Sequence, residues 1–185
     1  MELTRDRIER EAEAYEAEEP LYAVEQQHVD ILPEMVRDGE FGWRDVEWVV
    51  QWYYRRYLGA YPGDERRTGE EAFRDNSFED VLDRLAAAVE ADDTAEKLRH
   101  LTALDGVDVP VGSAFLLFIF PDRYVVFGER EWGVLREAGE VEEPYPDPPS
   151  IEEYLVYDGV CRDLMEHFDA DAWTLYRALW RLGDA

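Results

Sequence analysis

The sequence predicts an all-α fold, organised as a single domain over residues 1–185. Apolar side chains recur every three or four residues along most of the chain, which is the spacing of helices with one buried face. The alternating pattern of a half-buried strand is nearly absent: "RYVVF", at residues 123–127, is the only candidate, and one short strand forms no sheet. Hydrophobic residues make up 46% of the 185, which is enough for a substantial core.

The first third of the chain predicts three helices. Residues 1–20 read as a highly acidic N-terminal helix or tail, with a thin apolar stripe ahead of Pro20. Residues 22–36 repeat the helical spacing. A third, strongly aromatic helix follows, and Gly59 and Pro62 indicate its end. Its apolar positions are Val46, Val49, Val50, Tyr53 and Tyr57.

Six further helices are predicted to begin near residues 77, 94, 109, 131, 151 and 171. Most start behind a residue that favours the N-cap position, where a side-chain oxygen accepts from a free amide of the first turn. Glu153 stands three residues after Ser150, as in a capping box, and Asp80 stands three residues after Ser77, which gives a looser version of the same motif. The N-caps are Ser77, Asp93 or Thr94, Ser150, and Asp169 or Asp171.

The charge of the chain predicts an acidic surface adapted to salt. There are 45 acidic and 19 basic residues, for a formal net charge of −26, and the acidic residues run through the whole chain. An acidic tail on an ordinary protein is the alternative, but the even distribution favours a halophilic source. At molar salt the Debye length falls to about 3 Å, so double-stranded DNA remains a possible partner.

Cysteine usage and hydropathy point to a soluble, cytoplasmic protein. Cys161 is the only cysteine, so no disulfide can form within the chain. The N-terminal segment does not resemble a signal peptide. The longest apolar run, residues 114–121, is far shorter than the roughly 20 residues that span a membrane.

A cluster of four arginines forms the densest positive charge in the sequence. It can be interpreted as a phosphate-facing patch, or as arginines paired with the abundant carboxylates, and the acidity of the chain favours pairing. The residues are Arg55, Arg56, Arg66 and Arg67.

The segment "LDGVDVPVGSAFL", residues 104–116, predicts two helices joined by a tight turn, within a hairpin over about residues 94–120. Gly106 suits the turn because glycine accepts a positive φ. Pro110 suits the first turn of the second helix. Gly112 and Ser113 are small enough for close helix packing. The exposed amides at such a helix start bind anions, phosphate included.

These residues resemble the helix-hairpin-helix motif, and with "FPDRYVVFGEREWGVL" they resemble the helix-hairpin-helix DNA glycosylase superfamily. The resemblance is strongest over residues 94–135 and implies an all-α glycosylase-type domain that holds a DNA phosphate at the hairpin. The residues expected at that contact are Gly106, Val107, Asp108, Val109, Gly112 and Ser113, with Arg55 and Arg56 as further candidates.

The chain departs from the superfamily at its chemistry. Asp108 stands where the second hairpin glycine is expected, and as an N-cap it would repel phosphate. Gly128 stands where the resemblance places a catalytic aspartate, and no lysine nucleophile occurs in the hairpin. Glu129 is the candidate substitute carboxylate, although one residue along a helix is a turn of about 100°.

No other chemistry is indicated. The three histidines have no metal-ligand spacing, and no nucleotide-binding or hydrolase motif occurs. We therefore expect neither a metal nor a cofactor. Three functions stay open: a DNA-associated, glycosylase-like protein with weak or no base excision; an active glycosylase that uses Glu129; and a helical interaction protein with no nucleic-acid role.

Overall fold

The structure is a computed structural model that describes residues 1–183, and that part of the chain is all-helical, as the sequence predicts. Its ten helices are α1 (Arg5–Glu18), α2 (Tyr22–Asp38), α3 (Trp43–Arg55), α4 (Gly63–Arg74), α5 (Phe78–Glu90), α6 (Thr94–Leu101), α7 (Val109–Ile119), α8 (Glu129–Ala138), α9 (Ile151–Phe168) and α10 (Ala172–Leu182). Among the described residues, no helix combines the length and the apolar character that crossing a bilayer requires.

Helix α7 forms the centre of the core. Every residue from Val109 to Ile119 is buried, because the segment is apolar on all sides. It packs against α2, α3 and α6, while α1 packs along α10 and α8 also contacts α10. The hairpin predicted from the sequence therefore runs from a half-exposed helix, α6, into the middle of the protein.

The predicted caps set the starts of five of the ten helices. Asp93, Ser150 and Asp171 each accept a hydrogen bond from a first-turn amide, and the Ser150 capping box is complete. Ser77 also caps its helix, but Asp80 does not complete a box. The Asp80 carboxylate accepts a hydrogen bond from the Ser77 hydroxyl at 2.6 Å, and not from the Ser77 amide as a capping box requires.

Helix α4 was not expected from the sequence. Its residues, "GDERRTGEEAFR", are mostly charged, so no apolar stripe marks it. Only two of its residues are buried, and one of them is an acid: Phe73 packs into the core, and Glu70 lies beneath arginine side chains. Because a charged residue, Glu70, stands on the buried face, the apolar residues of this segment do not recur at helical spacing.

The candidate strand is an extended, buried connection between α7 and α8. Residues 124–127 are at most 4% exposed, and they form no strand. Side chains take the place of a partner strand: the Tyr157 hydroxyl donates to Val126 O at 2.8 Å and the Tyr154 hydroxyl to Val125 O at 3.4 Å. The connection is thereby fixed against α9.

A buried carboxylate ties the first three helices together. Glu25 on α2 is fully buried and accepts hydrogen bonds from the Tyr15 hydroxyl at 2.8 Å and from Trp52 Nε1 at 2.6 Å. Burial raises the pKa of Glu25, and the two donors oppose that rise only in part.

We expect Glu25→Gln to change how stability depends on pH. Because the pKa of Glu25 is raised in the folded state, the folded protein binds more protons than the unfolded one between the ordinary and the raised pKa. Stability therefore falls as pH rises through that window. Urea unfolding from pH 4 upward should show this decline in the wild type and a smaller one in the variant. Parallel profiles would contradict the assignment.

Candidate functional site

The hairpin turn is held tightly against α4. Gly106 has φ +75°, and a Cβ atom there would lie 2.5 Å from Gly69 O and from Phe73 N. The Asn76 side chain also pairs with the backbone of Asp105, donating to its carbonyl at 2.9 Å and accepting from its amide at 3.0 Å. The turn requires glycine, as predicted, but it is covered by α4 on one side.

The start of α7 is occupied by the protein's own carboxylate. Asp108 is the N-cap, as predicted, and accepts from Val111 N at 2.9 Å. Gly112 N donates to Asp108 O at 2.8 Å. Val107 and Val109 on either side of the cap are buried. The carboxylate thus lies where a phosphate would meet the helix dipole, and of these residues only Asp108 is exposed.

Small residues let α7 pack closely and hold the following connection. A Cβ atom at Gly112 would lie 3.1 Å from Leu98 of α6. The buried Ser113 hydroxyl donates to Pro110 O at 2.6 Å and accepts from Phe127 N at 2.8 Å. Ser113, one of the residues expected at a phosphate contact, instead links the hairpin to the chain that enters α8.

We expect Ser113→Ala to destabilise the protein by about 1–3 kcal/mol, because it leaves the buried Phe127 amide without an acceptor. The midpoint of urea unfolding measures the change. Thr102→Ala is the matched control, since the Thr102 hydroxyl makes a hydrogen bond within its own helix and remains partly accessible. Equal losses in the two variants would contradict a linking role for Ser113.

Gly128, at the N-cap of α8, faces a buried ion pair. Arg56 Nη1 lies 2.6 Å from Glu131 Oε1, and the two side chains are 1% and 0% exposed. A Cβ atom at Gly128 would collide with Glu131 Oε2 and would lie 2.8 Å from Arg56 Nη2. The pair therefore fills the space that a side chain at residue 128 would need.

Arg56 is consequently an interior residue and does not form part of a surface patch. Burial alone would lower its pKa, but the attraction of Glu131 and the surrounding tyrosines holds the pKa above its ordinary value. Its guanidinium lies 4.7 Å from the Tyr53 ring centre, 5.1 Å from Tyr57 and 4.8 Å from Trp180. Aromatic faces thus help to solvate the charge.

The other three arginines of the cluster also have acidic partners. Arg55 and Arg66 lie 3.4 and 3.5 Å from Glu70, and Arg67 pairs with Asp64. Only Arg55 was a candidate nucleic-acid contact among them, and its side chain is half exposed. The structure thus shows the carboxylate pairing that the sequence favoured over a phosphate-facing patch.

A cleft of about 800 Å³ lies where the starts of α7 and α8 meet. Asp108 and Glu129, distant in sequence, both line it, and Glu129 is exposed. The remaining walls come from the end of α3 and the segment after it, the start of α4, the Pro-rich loop after α8 and Gly183. They carry four tyrosines: Tyr53, Tyr57, Tyr61 and Tyr145. The last two were missed in the sequence because they lie in loops without a motif.

Burial keeps these phenols protonated. It raises the pKa of Tyr61 to about 12, and it raises the pKa values of Tyr53, Tyr57 and Tyr145 as well. Partial desolvation also raises the pKa of Asp108, although its side chain remains accessible. The cleft therefore presents neutral phenols and carboxylates beside the Arg130 guanidinium.

Neither a metal-binding cluster nor an exposed cysteine is found among residues 1–183. That part of the chain holds no group of three histidine, cysteine or acidic side chains able to bind a metal. Cys161 is buried, and burial raises its thiol pKa, so it is not a reactive thiolate.

Comparisons with protein-family models, with curated proteins and with solved structures found no match for this chain. The fold and the site define an all-helical protein with an acidic, tyrosine-lined cleft at the starts of two helices.

Proposed function

We propose that this chain is a glycosylase-like binding protein without base-excision activity, and that the cleft is its ligand site. One observation carries the proposal: Gly128 holds the position at which the superfamily resemblance requires a carboxylate, and the Arg56–Glu131 pair fills the adjoining space. Glu131 is fully buried and does not line the cleft, so it cannot contact a substrate.

We propose that any association with double-stranded DNA is weak. The amides of Asp105 and Val111 are already bonded to Asn76 and Asp108, and the Asp108 carboxylate repels phosphate. Asp108→Asn keeps a good N-cap while removing the charge. If the hairpin faces DNA, this variant binds duplex more tightly than the wild type in fluorescence anisotropy at fixed KCl.

The decisive experiment is a base-release assay on duplexes that carry a panel of damaged and mismatched bases, in molar KCl. We expect no release above the rate without protein. Release by the wild type would overturn the proposal, whether or not duplex binding is detected.

An active glycosylase is the second candidate, because Glu129 is accessible and lines the cleft beside Asp108. Under this alternative, Glu129→Gln abolishes base release. Glu152→Gln is a matched control, since Glu152 is likewise an exposed acid in the first turn of a helix. Release that survives Glu129→Gln would exclude Glu129 as the catalytic group.

We propose a salt-rich cytoplasm as the setting, on the strength of the −26 net charge and its spread along the chain. Repulsion among these carboxylates opposes folding at low ionic strength. We therefore expect the unfolding temperature to rise as KCl increases from 0.1 to 2 M, because the Debye length shortens from about 10 Å to a few Å. A flat or falling profile in differential scanning fluorimetry would contradict this setting.

A further inference from the structure

The cleft is a cavity whose size and walls suit a small organic molecule. Its volume of about 800 Å³ lies within the range of ligand pockets, roughly 300–1,000 Å³. Two of its tyrosines, Tyr57 and Tyr61, pack against each other, with ring centres 5.3 Å apart and planes at 51°.

Ring faces of this kind attract cations. The protein already uses two of the same rings in this way, because the Arg56 guanidinium lies over Tyr53 and Tyr57 from the interior. Arg56 lies over neither Tyr61 nor Tyr145. These two rings are therefore the ones we assign to a ligand.

The charges around the cleft also favour a cation. Four carboxylates line it, from Glu65, Asp108, Glu129 and Asp147, against the single guanidinium of Arg130. That guanidinium lies 3.8 Å from the Trp180 ring centre and donates from Nε to Trp180 O, so it is held toward α10. The two helix starts contribute about half a positive charge each, which leaves the cleft negative by roughly two charges.

We propose that the cleft binds a flexible organic polycation of the polyamine class, an inference that rests on the proposed binding role. The four carboxylates come from four separate segments of the chain: α4, the N-cap of α7, the first turn of α8 and the loop after α8. This arrangement suits a ligand with several separated ammonium groups, whose methylene segments pack on Tyr61 and Tyr145. A phosphate or carboxylate ligand would be repelled.

Isothermal titration calorimetry with spermidine in 1 M KCl tests the proposal. We expect one site per chain. Tyr61→Leu with Tyr145→Leu, and separately Asp108→Asn with Glu129→Gln, should each weaken binding about tenfold, through lost ring contacts and lost charge. The controls Tyr22→Leu and Glu152→Gln lie outside the cleft and should leave the affinity unchanged.

The high salt and the control variants distinguish binding of spermidine in the cleft from nonspecific binding to the acidic surface. Absence of binding would overturn the proposal, as would many weak sites that are insensitive to both cleft variants. Binding of AMP or pyrophosphate at one site would show an anion cleft and would also overturn it. Thermal unfolding of each variant confirms that it folds. Base release is scored in a separate assay, so a failure of the proposed function is distinguishable from a failure to bind spermidine.

Discussion

Replacing Glu131 with glutamine is expected to destabilise the protein by about 3–5 kcal/mol, the cost of breaking a buried ion pair from one side. The substitution keeps the size and shape of the side chain. It removes the only negative charge within 4.0 Å of the Arg56 guanidinium in the described part of the chain, where both side chains are at most 1% exposed.

The expected loss is large because Arg56 cannot lose its charge when its carboxylate partner is removed. A guanidinium does not deprotonate in proteins, so its charge must remain in the interior. The Tyr57 and Tyr176 hydroxyls accept hydrogen bonds from it at 3.3 and 3.4 Å, and the surrounding rings add cation–π attraction. These neutral groups reduce the penalty, but they do not replace the Coulomb attraction of a carboxylate at 2.6 Å.

Urea unfolding at fixed KCl measures the effect as a shift in midpoint at constant slope. Glu129→Gln is the matched control, since it is the same substitution two residues away at an exposed position, and we expect it to change stability by no more than about 0.5 kcal/mol. If the two variants lose similar stability, the ion pair does not contribute as the geometry indicates.

Most of the helical framework could be predicted from the sequence, because local signals specify it. Asp93, Asp108 and Ser150 cap their helices through side chains only three residues from the amides they bind. Such short-range geometry is visible in a single sequence. Helix α4 was missed because its inward face carries Glu70, so its apolar period was interrupted.

The burial of the Arg56–Glu131 pair is indicated by the apolar spacing around each residue, although charged residues are ordinarily expected at the surface. Arg56 follows Trp52 and Tyr53 by four and three residues, and Glu131 precedes Val134 and Leu135 by three and four. Both charged residues therefore stand in apolar stripes. That position indicates burial, but their pairing across 75 residues depends on how α3 and α8 pack, which no local pattern specifies.

The cleft could not be predicted from the sequence for a related reason. Asp108 and Glu129 were recognised separately, one as a cap and the other as a substitute carboxylate. Tyr61 and Tyr145 lie in loops, where periodicity carries no information about which way a ring faces. Only the tertiary arrangement of the segment after α3, the starts of α7 and α8 and the loop after α8 brings all four to one cavity.

Gly128→Asp should also destabilise the protein by about 3 kcal/mol or more, despite placing a favourable residue at an N-cap. Its Cβ atom would collide with Glu131 Oε2, and two carboxylates would compete for Arg56 in the interior. Gly133→Asp is the matched control on the same helix, because a Cβ atom at Gly133 meets nothing within 4 Å.

Combining Gly128→Asp with Glu131→Ala should recover much of this loss. Removing the Glu131 carboxylate opens the space beside residue 128, and an aspartate there would lie next to Arg56 Nη2, 2.8 Å from its Cβ position. We expect the double variant to be more stable than the sum of the single variants predicts, by about 2 kcal/mol, within the range of direct couplings.

A double-mutant cycle in urea measures that coupling. A positive coupling would mean that Arg56 requires one carboxylate and accepts it from either position. Glu131 would then be the partner that occupies the space beside Gly128, which would explain why a glycine stands there. Additive losses would mean that residue 128 and Glu131 do not share the space beside Arg56.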